Sequence, residues 1–138
     1  MNDVLLNKTT TIERCVKRIR EVYEGNPANL SDITKQDSII LNIQRACEAS
    51  IDLAMHMVSG RKLGVPKSSR EAFTLLCEKG LIDAELAKNL MNMVGFRNIA
   101  VHDYQSLNVD ILVAIVEKHI DDFKMFAQAV LRLMQASE

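Results

Sequence analysis

The chain has 138 residues, 48% of them apolar and 25% charged, with a net charge of −1. That length suits one domain, residues 1–138, with a core that needs no covalent staples. The charge excludes a general basic field for nucleic acid, so any polyanion must be held by a local cluster. Aromatic content is only 4%, with no Trp and seven Met, so the core is aliphatic and suits packed helices better than a sandwich or barrel.

Val4, Leu5, Ile12, Cys15, Val16, Ile19, Val22 and Tyr23 recur at mostly three- and four-residue steps, as one buried face of a first helix requires. Gly25, Asn26 and Pro27 stop it, and a connector runs to about Ile33. Thr34, with Asp37 three residues on, is the expected cap of a second helix. Its inner face is Ile39, Ile40, Ile43, Cys47, Ile51, Ala54, Met55 and Val58, and it ends near Gly60. Gly64, Val65 and Pro66 form the next loop. Ser68-x-x-Glu71 is a capping box opening a third, shorter helix that Gly80 stops. Asp83 caps a fourth helix carrying Leu86, Leu90 and Val94, which Gly95 is expected to weaken just before Arg97. The last helix spans about Asn108 to Ala136, with Ile111, Leu112, Ile115, Val116, Ile120, Phe123 and Phe126 among its inward residues. No segment alternates with period two for long enough to make a strand. The expected fold is all-α, an antiparallel bundle of four to five helices, and the breadth of several apolar faces suits a two-fold dimer.

Cys15, Cys47 and Cys77 are odd in number and form no CxxC. They read as three buried, reduced thiols, with neither a disulfide framework nor a zinc site. The first residues lack the pattern of a secretory signal, and the longest apolar run, 111–116, is too short to cross a bilayer. A cytoplasmic location is expected, with no membrane contact.

The segment richest in chemistry is Gly95-Phe96-Arg97-Asn98-Ile99-Ala100-Val101-His102-Asp103-Tyr104. A guanidinium is permanently charged and its planar fork grips phosphate oxygens. An imidazole titrates near neutrality and exchanges protons there. The pair is a minimal set for cutting a phosphodiester. His102 would take the proton of a ribose 2′-OH or supply one to the leaving oxygen, while Arg97 stabilises charge on phosphorus. On an ideal helix, however, five residues turn about 500°, which leaves Arg97 and His102 roughly 140° apart. Either the helix breaks after Gly95 or a second copy completes the site; a helix end lining a two-fold cleft is the expected arrangement.

Arg97-x4-His102, with Asn98 between and Asp103 and Tyr104 beyond, resembles the Arg-x4–6-His signature of HEPN-domain ribonucleases. The Arg-x4-His-x-Tyr form is similar to the HepT-like toxins, once grouped as the uncharacterised DUF86 family. The run from Leu41 to Ala54 is similar to that family's long helix, and helix order fits along nearly the whole chain. The resemblance implies a dimerising HEPN bundle with Arg97 and His102 of both subunits facing one cleft. It implies a toxin with endoribonuclease activity that needs no metal and uses the 2′-OH as nucleophile. It implies a partner antitoxin, a small MNT-type nucleotidyltransferase, that moves AMP from ATP onto Tyr104. Such an adduct would block the cleft by bulk and like charge.

Around this core of the site, Asn98 and Asp103 are candidates for supporting contacts to RNA. Glu48, Asp52 and His56 form a polar line beside the apolar face of the second helix. That line is either a solvated face or a polar wall of the cleft. No metal-ligand spacing involves His56 or His102. His119 is expected to be exposed, and the basic residues Arg14, Lys17, Arg18 and Arg20 to form a solvated face or an RNA guide. The competing function is a non-catalytic helical module that binds a nucleotide or serves as adaptor for the transferase, in which Arg97 only holds phosphate.

Overall fold

The computed structural model describes residues 2–102 and 107–136. Among them lie helices α1 (Asn2–Tyr23), α2 (Ile33–Gly60), α3 (Ser69–Glu78) and α4 (Ala84–His102), and then one last interrupted helix. That last helix consists of α5 (Val109–Ala114), a π-helical turn (Ile115–His119) and α6 (Ile120–Ala136). No strand occurs among the described residues. The all-α bundle matches the sequence reading.

The 28 residues of α2 make a rod about 42 Å long, and α1, α3, α4 and α6 all pack on it. Leu53, Ala54 and Val58 of α2 are fully buried, together with Ile12 and Ile19 of α1 and Phe123 and Phe126 of α6. Phe73 of α3 meets Phe126 edge to face, with ring centroids 5.6 Å apart, the favourable arrangement for aromatic quadrupoles.

Helix ends follow local chemistry at the expected caps Ser68 and Asp83, and also at Asn108, where the last helix is expected to begin. The side chain of Ser68 accepts from the Glu71 N–H at 3.2 Å. Asp83 accepts from Leu86 at 2.7 Å, and Asn108 from Ile111 at 2.9 Å. Gly80 closes α3 with φ 74°; its N–H donates to the Cys77 carbonyl and that of Leu81 to the Leu76 carbonyl. This is a Schellman ending, in which glycine takes the left-handed conformation without penalty.

Several expectations are corrected. The cap of α2 is Asp32, whose carboxylate accepts from the Lys35 N–H at 3.0 Å. Thr34 is already inside the first turn, so the helix begins earlier than its hydroxyl implied. The connector contains a 3₁₀ turn, Pro27–Ser31, that buries Leu30 completely. Val4, Met55 and Ile111 are exposed, and Cys77 is only half-buried, whereas Cys15 and Cys47 are buried as expected. Broad apolar stripes exceed the surface that a bundle of this size covers, so their edges remain in water. No helix is long and apolar enough to cross a membrane among the described residues.

Candidate active site at the end of α4

α4 runs without interruption from Ala84 to His102, and Gly95 lies inside it. Of the two arrangements the spacing allows, a break after Gly95 is therefore absent, and Arg97 and His102 lie on the last turns of a continuous helix. The glycine has a different use: a Cβ built on it would lie 2.9 Å from Nη2 of Arg70. The missing side chain admits the guanidinium that α3 lays across α4, and Arg70 Nε donates to the Met91 carbonyl at 3.2 Å.

The bundle holds α4 through Leu86, Ala87, Leu90, Met93, Val94 and Phe96, and in the last turn and a half only through Ala100. Asn98 and His102 are exposed, as are the apolar Ile99 and Val101, at 43% and 47%. Because α4 is regular, Arg97 and His102 stay about 140° apart around its axis, and one chain does not bring them together. Asp103 and Tyr104 lie outside the described residues.

Arg97 is half-buried beside the buried thiol of Cys47. Burial pushes that thiol up to about 12, against the opposing pull of the Arg97 charge and with the help of the Glu48 carboxylate. The Cys47 thiol donates to the Met93 carbonyl at 3.3 Å, which ties α2 to α4 just before the motif. The Nε of Arg97 is buried with no hydrogen-bond partner among the described residues. A buried guanidinium N–H left open is costly and calls for an acceptor.

The polar line on α2 divides. Glu48 is exposed but near enough to Cys47 for both its charge and that of Arg97 to be felt there. Asp52 is turned to α1, where Lys8 donates to its carboxylate at 3.1 Å, and His56 is exposed. Asp52 is thus part of a surface bridge between α1 and α2, not of a shared cluster with Arg97.

A cavity of about 380 Å³ flanks the next face of α4, lined by Asn89, Asn92, Phe96, Ile99, Ile111 and His119 among others. His119 is half-buried, not exposed as expected. Its Nδ1 lies 3.1 Å from the carboxylate of buried Asp122. The π turn ending at His119 adds a residue to the helix there, an irregularity that periodicity alone does not reveal. Arg70 goes unmarked in the sequence, and His119 reads there only as an exposed residue. The Ser68 capping box placed Arg70 in a first turn, but nothing local showed what its side chain crosses.

Comparison with known proteins defines first a class, then a family. A solved structure described as a tri-AMPylated Shewanella oneidensis HEPN toxin in complex with MNT antitoxin superposes with a TM-score of 0.89. It shares 52% identity with this chain, covering 96% of this chain and 99% of that one. A toxin–antitoxin structure with AMP-PNP superposes with a TM-score of 0.88 at 50% identity, covering 94% and 98% of the two chains. The fold is thus a HEPN-type helical bundle. The mRNA nuclease HepT of Shewanella oneidensis is 52% identical over 130 residues, 94% of this chain and 98% of that protein. The family model described as "Ribonuclease HepT-like" matches residues 12–130, and the chain belongs to this family.

Proposed function

We propose that this chain is the toxin of a toxin–antitoxin pair, a cytoplasmic endoribonuclease acting at the exposed end of α4. One observation carries the reading: 52% identity across 98% of an mRNA nuclease, in a chain whose own α4 carries Arg97 and His102 in its last two turns. The imidazole of His102 removes the proton of a ribose 2′-OH, and the 2′-oxygen attacks the adjoining phosphorus. The bond to the 5′-oxygen breaks, leaving a 2′,3′-cyclic phosphate, and the departing oxygen takes a proton from an imidazolium. Arg97 neutralises charge on the phosphoryl oxygens with the permanent charge of its guanidinium. Asn98, exposed one residue on, and Asp103 are assigned to contacts with the RNA, and Glu48 to orienting Arg97. The chemistry asks for no metal.

Separation of the two groups on a regular helix makes a two-fold dimer part of this proposal. A second copy lets Arg97 of one chain face His102 of the other. The exposed apolar side chains Ile99, Val101 and Ile111 support an interface beside the motif. The similarity to a tri-AMPylated toxin held by an MNT antitoxin supports a nucleotidyltransferase partner. That partner would use ATP to place AMP on Tyr104 and so close the cleft to phosphate.

The test is cleavage of single-stranded RNA by the purified protein in EDTA. His102→Ala is expected to lose roughly 10²- to 10⁴-fold in rate, and undiminished cleavage by that variant rejects the reading. Mass spectrometry after co-expression with the transferase is expected to find AMP on Tyr104, and an unmodified tyrosine rejects the switch.

A further inference from the structure

The exposed cation Arg70 has no place in the reading so far. It makes no ion pair among the described residues, and its hydrogen bond there runs from Nε to the Met91 carbonyl. It also stands in the first turn of α3, two residues after the cap Ser68, where the helix dipole disfavours a positive charge. Helix stability therefore does not explain an arginine at this position. Its guanidinium lies instead over α4, with Nη2 against Gly95.

On a helix turning 100° per residue, Met91, Gly95, Asn98 and His102 fall within a sector of about 60°. Arg70 therefore covers the start of the same α4 face that ends in His102. Thr74 of α3 also reaches this face, its hydroxyl 3.4 Å from the sulfur of Met91. The five-residue link from Lys79 to Asp83 makes α3 and α4 an antiparallel hairpin. The N-terminal end of α3 consequently points toward the end of α4 where Asn98 and His102 emerge. From Gly95 to His102 the rise is about 10 Å, and exposed polar Asn98 lies between.

We propose that Arg70 binds a backbone phosphate of the RNA neighbouring the linkage cut at His102, so that the strand runs along α4 over Gly95, Asn98 and His102. With Nε occupied by Met91 and Nη2 packed against Gly95, the exposed guanidinium still has terminal N–H groups for phosphate oxygens. In a chain of net charge −1, such a local cation is what positions a strand that the overall field does not attract. Arg70 is a positioning residue and takes no part in proton transfer. The inference rests on the ribonuclease reading and adds the strand's direction to it.

The experiment measures fluorescence anisotropy of an uncleavable 2′-O-methyl oligoribonucleotide, titrated with the full-length protein across a salt series. The proteins are wild type, Arg70→Ala and Arg70→Lys. Arg70→Ala is expected to bind about tenfold more weakly, and the slope of log affinity against log salt to shrink by about 0.7, the counterion share of one phosphate on a single strand. Arg70→Lys should restore the slope and part of the affinity, since an ammonium keeps the charge but not the fork. In cleavage assays the loss should appear in KM more than in kcat. Wild-type affinity and salt slope in Arg70→Ala overturn the proposal. So does weaker binding at unchanged slope with a lowered melting temperature, which marks a structural bridge. A defect confined to binding the transferase also overturns it, placing Arg70 in a protein interface. Failure of the wild type itself to bind or cleave RNA sinks the ribonuclease reading, whereas His102-dependent cleavage untouched by Arg70→Ala sinks this inference alone.

Discussion

Replacing Gly95 with alanine tests whether α4 is a continuous rod or a helix that must yield at the motif. Glycine in a helix interior is about 1 kcal/mol less favourable than alanine, and Gly95 lies well inside α4. Against that gain stands one contact: the new Cβ would come within 2.9 Å of Arg70 Nη2, the far end of a flexible side chain. Moving it costs at most the Nε bond to the Met91 carbonyl, about 1 kcal/mol and less in water. The two terms leave Gly95→Ala between neutral and about 1 kcal/mol more stable, a rise of up to a few degrees in melting temperature. Thermal and urea unfolding followed by far-UV circular dichroism measure this directly. A loss of more than about 1 kcal/mol would show that the backbone at 95 needs glycine's freedom, and the regular helix described above would be wrong.

Other expectations concern the core and its ionisable groups. Phe126→Ala removes a fully buried ring stacked edge-on against Phe73 and should cost about 3–5 kcal/mol, read from the urea midpoint at constant m. Alkaline pH should destabilise the fold. Burial lifts the Cys47 thiol from 9.0 to about 12, and burial with the neighbouring Glu117 lifts the Tyr23 phenol from 10.0 to about 12. The unfolded chain releases these protons first, so their contribution is whole below about pH 9 and is lost as pH rises toward 12. Tyr23→Phe should flatten that fall, and an equally steep decline in the variant would dismiss the tyrosine. In the folded protein a thiol reagent should label half-buried Cys77 well before Cys15 and Cys47; comparable rates for all three would contradict the packing.

Helix order, the ends set by Ser68, Asp83 and Gly80, the start of the last helix near Asn108, and most of the inward faces of α1 and α2 were legible in the sequence. These are local matters, decided within four residues by a side chain that reaches a nearby N–H or by apolar spacing at the helical period. Where local signals competed, the reading slipped by a turn or less, as at Asp32 and Thr34.

Local pattern did not decide what each side chain meets across the bundle. Gly95 reads as a helix breaker, and only the arrival of Arg70 from α3 makes it a site of close approach. Asp52 reads as part of either a solvated face or a polar wall, and only the fold brings Lys8 of α1 to its carboxylate. His119 reads as exposed, and only the structure shows it half-buried beside Asp122 and lining the cavity against α4. The residue types of the Arg97–His102 motif were set by the chain alone. Their separation around α4 comes from the unbroken helix, because a rigid 100° step per residue gives one chain no means of folding both groups onto one phosphate.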